Sequence, residues 1–367
     1  MGSKLEKVIK QCRSAISEID REIFSALKKR EQLSLEIGRA KRDLSIPDRD
    51  SKREKEVFEN AVLMAKGLDL PKDFAIALQK LIVEASLSCQ EQDRIKNSDD
   101  DVKKSVAVVG GAGRLGQWLY RFFSDSGHEV SVIDLVHPGF PCQYSTELEP
   151  SADSYDIIAV ATPIRISNDI LGQIYALKLK HPTIFDTSSV KAPVYQSLLK
   201  LKENGVRVTS LHPMFGPSVN LLYGKHVIRT SLGVKEADDL VSEIFRATPL
   251  QVVDMSIDEH DTIIAILLSL SHMINIVFIR ALAESQFSVE YLEKFSSPTF
   301  SNLLAVAKKV MSENPQLYFE IQALNPHTQK THQQLSQAMT EVTSAVAQFD
   351  EEKFVAIMTE GEEFLRG

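Results

Sequence analysis

Cysteine is scarce in this 367-residue chain: Cys12, Cys89 and Cys142 stand far apart and make neither a CxxC pair nor a Cys/His ligand set. That excludes a disulfide framework and offers no metal site, and a reduced, cytoplasmic compartment is the expectation. Basic excess is missing as well. The net charge is -8 and the pI is near 5.7, so neither nucleic acid nor an anionic membrane is expected as the main partner. No run approaches the roughly 18 apolar residues of a membrane span. The start, Met1-Gly2-Ser3-Lys4, leads into a charged helical pattern rather than an apolar signal core. Internal repeats are absent too. A globular protein remains, 43% hydrophobic and 25% charged, of a length for two or three domains with ample core.

Helical periodicity without proline runs from about Lys4 to Arg42, with an apolar stripe that includes Leu5, Val8, Cys12, Ile16, Ile19, Ile23, Leu27 and Ile37. At about 100° per residue, Arg30 falls some 20° from Ile23, and Lys41 stands almost directly above it. Both cations should therefore point toward a core, where a charge without a counter-ion is costly. Asp50 and Glu54 supply only part of the compensation. Ser86 and Gln90, spaced i,i+4 on a helix of about Pro71 to Gln92, add neutral hydrogen-bonding groups on one face. Any one of these residues could be a snorkelling surface side chain. Together they describe a dianion site inside a helix bundle.

The segment resembles the all-helical chorismate mutase family through Cys12-Arg13, Ile19-Asp20, Leu27, Arg30, Glu36-Ile37-Gly38, Lys41, Asp50-Ser-Lys-Arg53-Glu54, Ser86 and Gln90. The resemblance implies that Arg13 from a partner chain, Arg30 and Arg53 hold substrate carboxylates, that Asp50 and Glu54 bind the ring hydroxyl, and that Lys41 and Gln90 donate to the ether oxygen. A pericyclic rearrangement needs no nucleophile, only a compact conformer and donors aimed at the oxygen that gains charge.

An acidic linker, Asn97-Ser98-Asp99-Asp100-Asp101, separates this pattern from a β-type run, Ser105–Val109. The expected domains are an all-α unit at 1–96, a linker at 97–104, a Rossmann unit at 105–255 and a helical substrate-binding and dimerisation unit at 256–367. The run enters Gly110-Gly111-Ala112-Gly113-Arg114-Leu115-Gly116, then a helix (Gln117 to Ser126) and a second strand (Glu129 to Ile133) that ends on Asp134. Strand, glycine loop, helix, strand and terminal acid occur in the order of a dinucleotide fold. Gly111 would make the tight turn, Gly113 let backbone approach a pyrophosphate, and Gly116 allow close packing, with Arg114 and Leu115 opening the helix. Asp134 would accept from a ribose hydroxyl, favouring NAD over NADP; the alternative is a solvated strand-end acid.

Tyr155–Ala161, Thr183–Asp186 and Val206–Leu211 read as further buried strands. Ligands collect at the carboxyl ends of such strands, which puts Thr162-Pro163, Thr187-Ser188-Ser189-Val190-Lys191 and His212-Pro213-Met214-Phe215-Gly216-Pro217 in range. The last is a rigid platform for one imidazole. From Asp258 the chain reads as helices, roughly Asp258–Ser285, Val289–Ser312, Pro315–Phe349 and Glu351–Arg366. The first is apolar on most faces and should be buried all round, at the centre of an intertwined homodimer rather than in a membrane. His272 within it reads equally as a ligand contact or a hydrogen-bonded core histidine.

From about residue 105 onward the chain resembles the prephenate dehydrogenase family, in Val109-Gly-Gly-Ala-Gly-Arg-Leu-Gly116, Ser188-Ser-Val-Lys191, Leu211-His-Pro-Met-Phe-Gly-Pro217, Glu259-His260-Asp261, His272, Ser296-Ser-Pro298 and Asn314-Pro-Gln-Leu-Tyr318. With the first segment, the whole resembles the bifunctional chorismate mutase/prephenate dehydrogenases of tyrosine biosynthesis, with chorismate and prephenate as substrates, NAD as cofactor and tyrosine as a candidate feedback inhibitor. The resemblance implies that His212 takes the proton of the substrate's C4 hydroxyl, that Ser189 orients His212, that Lys191 and His272 bind substrate, and that Asp261 supports the histidine side. One position departs. Where relatives carry a carboxylate-gripping arginine after Ser-Ser-Pro, this chain has Ser301; Lys308, about 10 Å along the same helical face, is a poor replacement, and Lys191 or Arg165 would have to contribute instead. That leaves open a second substrate, a 4-amino-4-deoxy analogue, and a third reading in which the second region only binds NAD or tyrosine as a regulatory module.

Overall fold

A computed structural model describes residues 2–44, 51–97, 103–219 and 221–367. Asp50 and most of the acidic linker lie outside the described residues. Three helices come first: α1 (Gly2–Asp43), α2 (Ser51–Gly67) and α3 (Lys72–Lys96). Of the apolar stripe of α1, Leu27 is half-buried while Ile37 is exposed, and it is Arg30, Ser34 and Gly38 that turn inward. Leu5, Val8, Ile16, Ile19 and Ile23 are exposed in the single chain, against the expectation that the whole stripe faces a core. Length is the reason: at about 1.5 Å per residue, the 42 residues of α1 overshoot the 25 of α3, and nothing else among the described residues covers the remainder.

An eight-stranded sheet follows, ordered β3-β2-β1-β4-β5-β6-β7-β8. Its strands are β1 (Ser105–Val109), β2 (Glu129–Ile133), β3 (Gln143–Ser145), β4 (Ile157–Val160), β5 (Thr183–Asp186), β6 (Arg207–Pro213), β7 (His226–Thr230) and β8 (Gln251–Asp254). β1 to β6 run parallel; β7 pairs antiparallel to β6 and parallel to β8. Helices α4 (Arg114–Asp125), α5 (Ile164–Ala176), α6 (Ala192–Glu203) and α7 (Lys235–Arg246) cover both faces. Trp118, Phe122 and Phe123 of α4 with Val241 and Phe245 of α7 pack on Val106, Val108 and Ile157. On the other face Leu171 and Ile174 of α5 with Val194 and Leu198 of α6 pack on Ala107, Ile158 and Ile184. Ile95, in the last turn of α3, belongs to the first of these cores.

The C-terminal region holds α8 (Ile257–Ile264), a π-helical turn (Ala265–Leu270), α9 (Ser271–Ala283), α10 (Val289–Glu293), α11 (Pro298–Met311), α12 (Pro315–Leu324), α13 (Thr328–Ala347) and α14 (Glu351–Arg366). Two of the expected helices are broken, one ahead of Pro298 and the other at Asn325-Pro326-His327, as proline requires. The 257–283 stretch is long and apolar enough to cross a membrane by length and composition. It is not buried all round: Ile266, Leu267, Ile274 and Val277 remain exposed, because α11 and α13 cover only part of its surface.

Candidate active sites

In the first site, Arg30 reaches from α1 to α3, donating to Ser86 Oγ and, at 3.4 Å, to the Ile82 carbonyl. Gln90, Ser86 and Ser34 are buried. The Gln90 amide nitrogen donates to the Ser34 carbonyl at 2.7 Å and to its hydroxyl at 2.8 Å. Its amide is thereby turned to Ser34 of α1 in this geometry, where the resemblance implies a donor to the substrate ether oxygen. Gly38 makes room for it, since a Cβ there would stand 3.0 Å from Gln90 Cγ. Lys41 is half-buried on the same helix. Arg53 is exposed and pairs with Glu56 at 2.9 Å. Glu54 lines a cleft with Glu84 and Ser88, on the face of α3 opposite Ser86 and Gln90. Arg13 lies in the exposed half of α1, about 26 Å along the helix from Arg30.

The second site begins at the carboxyl end of β1. Gly110, with φ +83°, makes the tight turn that Gly111 was expected to make. Gly111 is required for a different reason: a Cβ there would meet Val132 Cγ1 at 2.7 Å, and one on Gly116 would collide with the Gly110 carbonyl and Gly111 Cα. Gly113 caps α4, where Arg114, Leu115 and Gly116 form the first turn. Asp134 accepts from the Ala112 N–H and the Val136 N–H, each at 3.0 Å. That places a carboxylate beside the glycine loop, as a ribose-binding acid requires. Thr162 and Pro163 follow β4, the next strand over, and Pro163 caps α5. The cradle thus fits a dinucleotide in its turn, close packing and terminal acid.

His212, near the carboxyl end of β6, is buried. Its Nδ1 lies 2.9 Å from His260 Nε2, and His260 Nδ1 lies 2.8 Å from Asp261 Oδ1. Asp261 also accepts from the Lys191 N–H at 2.9 Å and the Ala192 N–H at 2.8 Å, at the start of α6. Burial alone would raise the Asp261 carboxyl; the bonds from His260, Lys191 and Ala192 outweigh it and hold the group below its ordinary value. A carboxylate only accepts, so His260 carries its proton on Nδ1. Burial lowers the His260 pKa and keeps it neutral, which leaves Nε2 as an acceptor. His212 must then donate from Nδ1, and its Nε2 lone pair is the free base. Burial, then the nearby His260 and Lys191, hold His212 well below the usual imidazole value.

Other expected residues are placed differently. Lys191 is fully buried, its ammonium bonded to the Leu211 carbonyl at 2.6 Å and to Asp186 at 3.2 Å, so it lies behind His212 and is not presented to a substrate. Ser189 is half-buried, while its neighbour Ser188 keeps a buried hydroxyl without a partner among the described residues. His272 stacks on Tyr318, ring centroids 4.0 Å apart, with Nδ1 buried and without a partner among the described residues, and burial lowers its pKa to about 4. Ser301 is exposed and bonds to Ser296 at 2.9 Å. The two cations expected to stand in for the missing arginine are engaged, Arg165 with Glu320 at 2.8 Å and Lys191 as above, and so is Lys308, with Glu293 at 2.6 Å. His260 was missed as a site residue, although it sits inside the Glu259-His260-Asp261 motif.

Family models match in three consecutive stretches: chorismate mutase type II over residues 12–91, the prephenate dehydrogenase nucleotide-binding domain over 141–254, and the prephenate dehydrogenase dimerization domain over 256–360. The T-protein of Enterobacter agglomerans is 24% identical over 94% of this chain and 89% of its own length. A probable arogenate/prephenate dehydrogenase of Methanocaldococcus jannaschii is 26% identical over 70% of this chain, which spans 60% of that protein. The 4-amino-4-deoxyprephenate dehydrogenase of Streptomyces pristinaespiralis is 26% identical over 69% of this chain and 88% of its own length. Among solved structures, prephenate dehydrogenase from A. aeolicus, in complex with hydroxyphenyl propionate and NAD+, shares the fold at a TM-score of 0.58, with 19% identity over 72% of this chain and 98% of that one. With the three domain matches in this order and a T-protein similar along nearly its whole length, the chain belongs to the bifunctional chorismate mutase/prephenate dehydrogenase family.

Proposed function

We propose that the chain converts chorismate to prephenate at the Arg30 site and oxidises prephenate to 4-hydroxyphenylpyruvate and CO2 at the His212 site. The observation that carries the second step is the His212–His260–Asp261 chain, which leaves one imidazole nitrogen as an acceptor near the carboxyl end of β6, on the same edge of the sheet as the glycine loop that follows β1. When bound, NAD would supply the acceptor for the hydride leaving C4. His212 Nε2 takes the C4 hydroxyl proton as that carbon is oxidised, and loss of the ring carboxylate as CO2 then aromatises the ring. Asp261 and His260 fix the tautomer and orientation of His212, and Lys191 with Asp186 braces the backbone of its strand. Ser189, His272 and Ser301 are proposed substrate contacts. In the first step Arg30, Arg53 and a partner's Arg13 would hold the two carboxylates, with Lys41 at the ether oxygen.

Because His212 is held low, its base form persists into mild acid. The acid limb of kcat/KM for oxidation should therefore fall below the ordinary imidazole value of about 6.5. A limb at or above that value removes His212 as the group observed. Asp134 offers a second check: Asp134→Ala should weaken NAD binding more than NADP binding, narrowing the preference. Equal initial affinities for the two cofactors in the unsubstituted protein would sink this assignment.

A second substrate is favoured by one observation, Ser301 in place of the arginine, together with the similarity to the Streptomyces enzyme. NAD reduction measured in parallel with prephenate and 4-amino-4-deoxyprephenate decides between them, and no reduction with either leaves only a binding module. A homodimer is proposed to cover the exposed apolar faces of α1 and of residues 257–283, the latter within the matched dimerization domain.

A further inference from the structure

Helix α3 serves both halves of the molecule through adjacent side chains. Gln90 turns toward α1 and holds Ser34, as described; Glu91, about 100° further round, turns to the sheet domain. Its carboxylate is buried and accepts from the Leu222 N–H at 2.7 Å through one oxygen and from the Tyr223 N–H at 3.0 Å through the other. Leu222 is buried in the core that also holds Ile95, Trp118 and Phe122, and Phe215 stands edge-on to Trp118 at 5.1 Å. Leu222 and Phe215 belong to the connection that leaves β6 after Pro213 and returns as β7. Its near end is tied down where the Met214 N–H meets the His226 carbonyl at 2.9 Å. The far end is tied by Glu91.

A buried backbone N–H must find an acceptor, and a carboxylate that takes two of them is a strong, directional anchor. Such an anchor is more than domain glue, because the tethered connection begins two residues past the imidazole that must stand within hydrogen-bond reach of His260. We infer that Glu91, supplied by the mutase helix, is a positioning residue of the dehydrogenase: it fixes the connection after β6 and thereby the stance of His212. This rests on the dehydrogenase reading of His212.

The test uses the full-length protein with Glu91→Ala and Glu91→Gln, assayed for chorismate rearrangement, NAD affinity, and the pH dependence of oxidation. Misplacing a catalytic group by about 1 Å can cost up to roughly a hundredfold, so Glu91→Ala should lower kcat for oxidation by about ten- to a hundredfold, with mutase turnover and NAD affinity within about twofold of wild type. Glu91→Gln keeps one acceptor oxygen and should restore part of the loss. The acid limb should also move toward the ordinary imidazole value, since the low position of His212 depends on its burial and on the flanking His260 and Lys191, themselves paired with Asp261 and Asp186. A merely structural residue would not move that limb. Wild-type kcat and an unmoved limb in Glu91→Ala overturn the inference, and so does a parallel fall of both activities with the melting temperature. If Glu91→Ala does not fold, Glu91→Gln decides by the same two readouts. Should the unsubstituted protein oxidise neither substrate, the dehydrogenase reading itself fails, an outcome distinct from an active wild type with an indifferent Glu91.

Discussion

His212→Asn should lower NAD-dependent oxidation by about 10²–10⁴ while leaving NAD affinity and chorismate rearrangement nearly unchanged. Asparagine approximates the size of the imidazole, and its amide can still donate toward His260 Nε2. What it lacks is a lone pair basic enough to take the C4 proton. The loss should sit in kcat and kcat/KM alike, because the missing interaction exists only as the proton moves. Asp261 cannot substitute, being held by His260 and two backbone N–H groups on the far side of the network. Turnover near wild type would mean that water or another group is the base, and the tautomer argument would lose its chemical consequence.

The parts of this site differ in how legible they were. β1 and β4 read plainly because strands buried on both faces are near-continuous apolar runs, β5 and most of β6 because short runs there end at polar or proline-containing loops, and the glycine loop announced itself by its order between strand, helix and acid. β3, β7 and β8 did not. They are short or carry polar residues such as Gln143, His226, Arg229, Gln251 and Asp254, and two of them run against the parallel pattern. His212 was conspicuous among prolines and glycine at a strand end. His260 was not, since in sequence it is one polar residue in the first turn of a helix, next to two acids; only the packing of α8 beside the end of β6 brings it to His212, 48 residues away. Lys191 shows the opposite error. A lysine on a strand-end loop among hydroxyls reads as a substrate contact, yet its side chain turns inward to Asp186 and the Leu211 carbonyl, a direction no local pattern encodes.

Helical spacing alone put Arg30, Ser86 and Gln90 together, because three helices that pack side by side leave little freedom once the apolar stripes are matched. The finer roles were less accessible. Gln90 lies where spacing predicts, but its amide donates to Ser34 of α1, which is why Lys41 is the proposed donor to the ether oxygen. Lys41→Ala should therefore lower mutase turnover by at least about a hundredfold, the scale of losing one preorganised donor, while oxidation of added prephenate continues. Lys41→Arg should recover little, since a planar fork replaces a compact ammonium aimed at a single oxygen. Gln90→Ala should also lower turnover, but through Ser34 and the α1–α3 contact, and so together with a fall in melting temperature that Lys41→Ala does not share. If Lys41→Ala retains normal turnover and Gln90→Ala abolishes it without loss of stability, the donor is Gln90 after all, and its bonds to Ser34 must break when substrate binds.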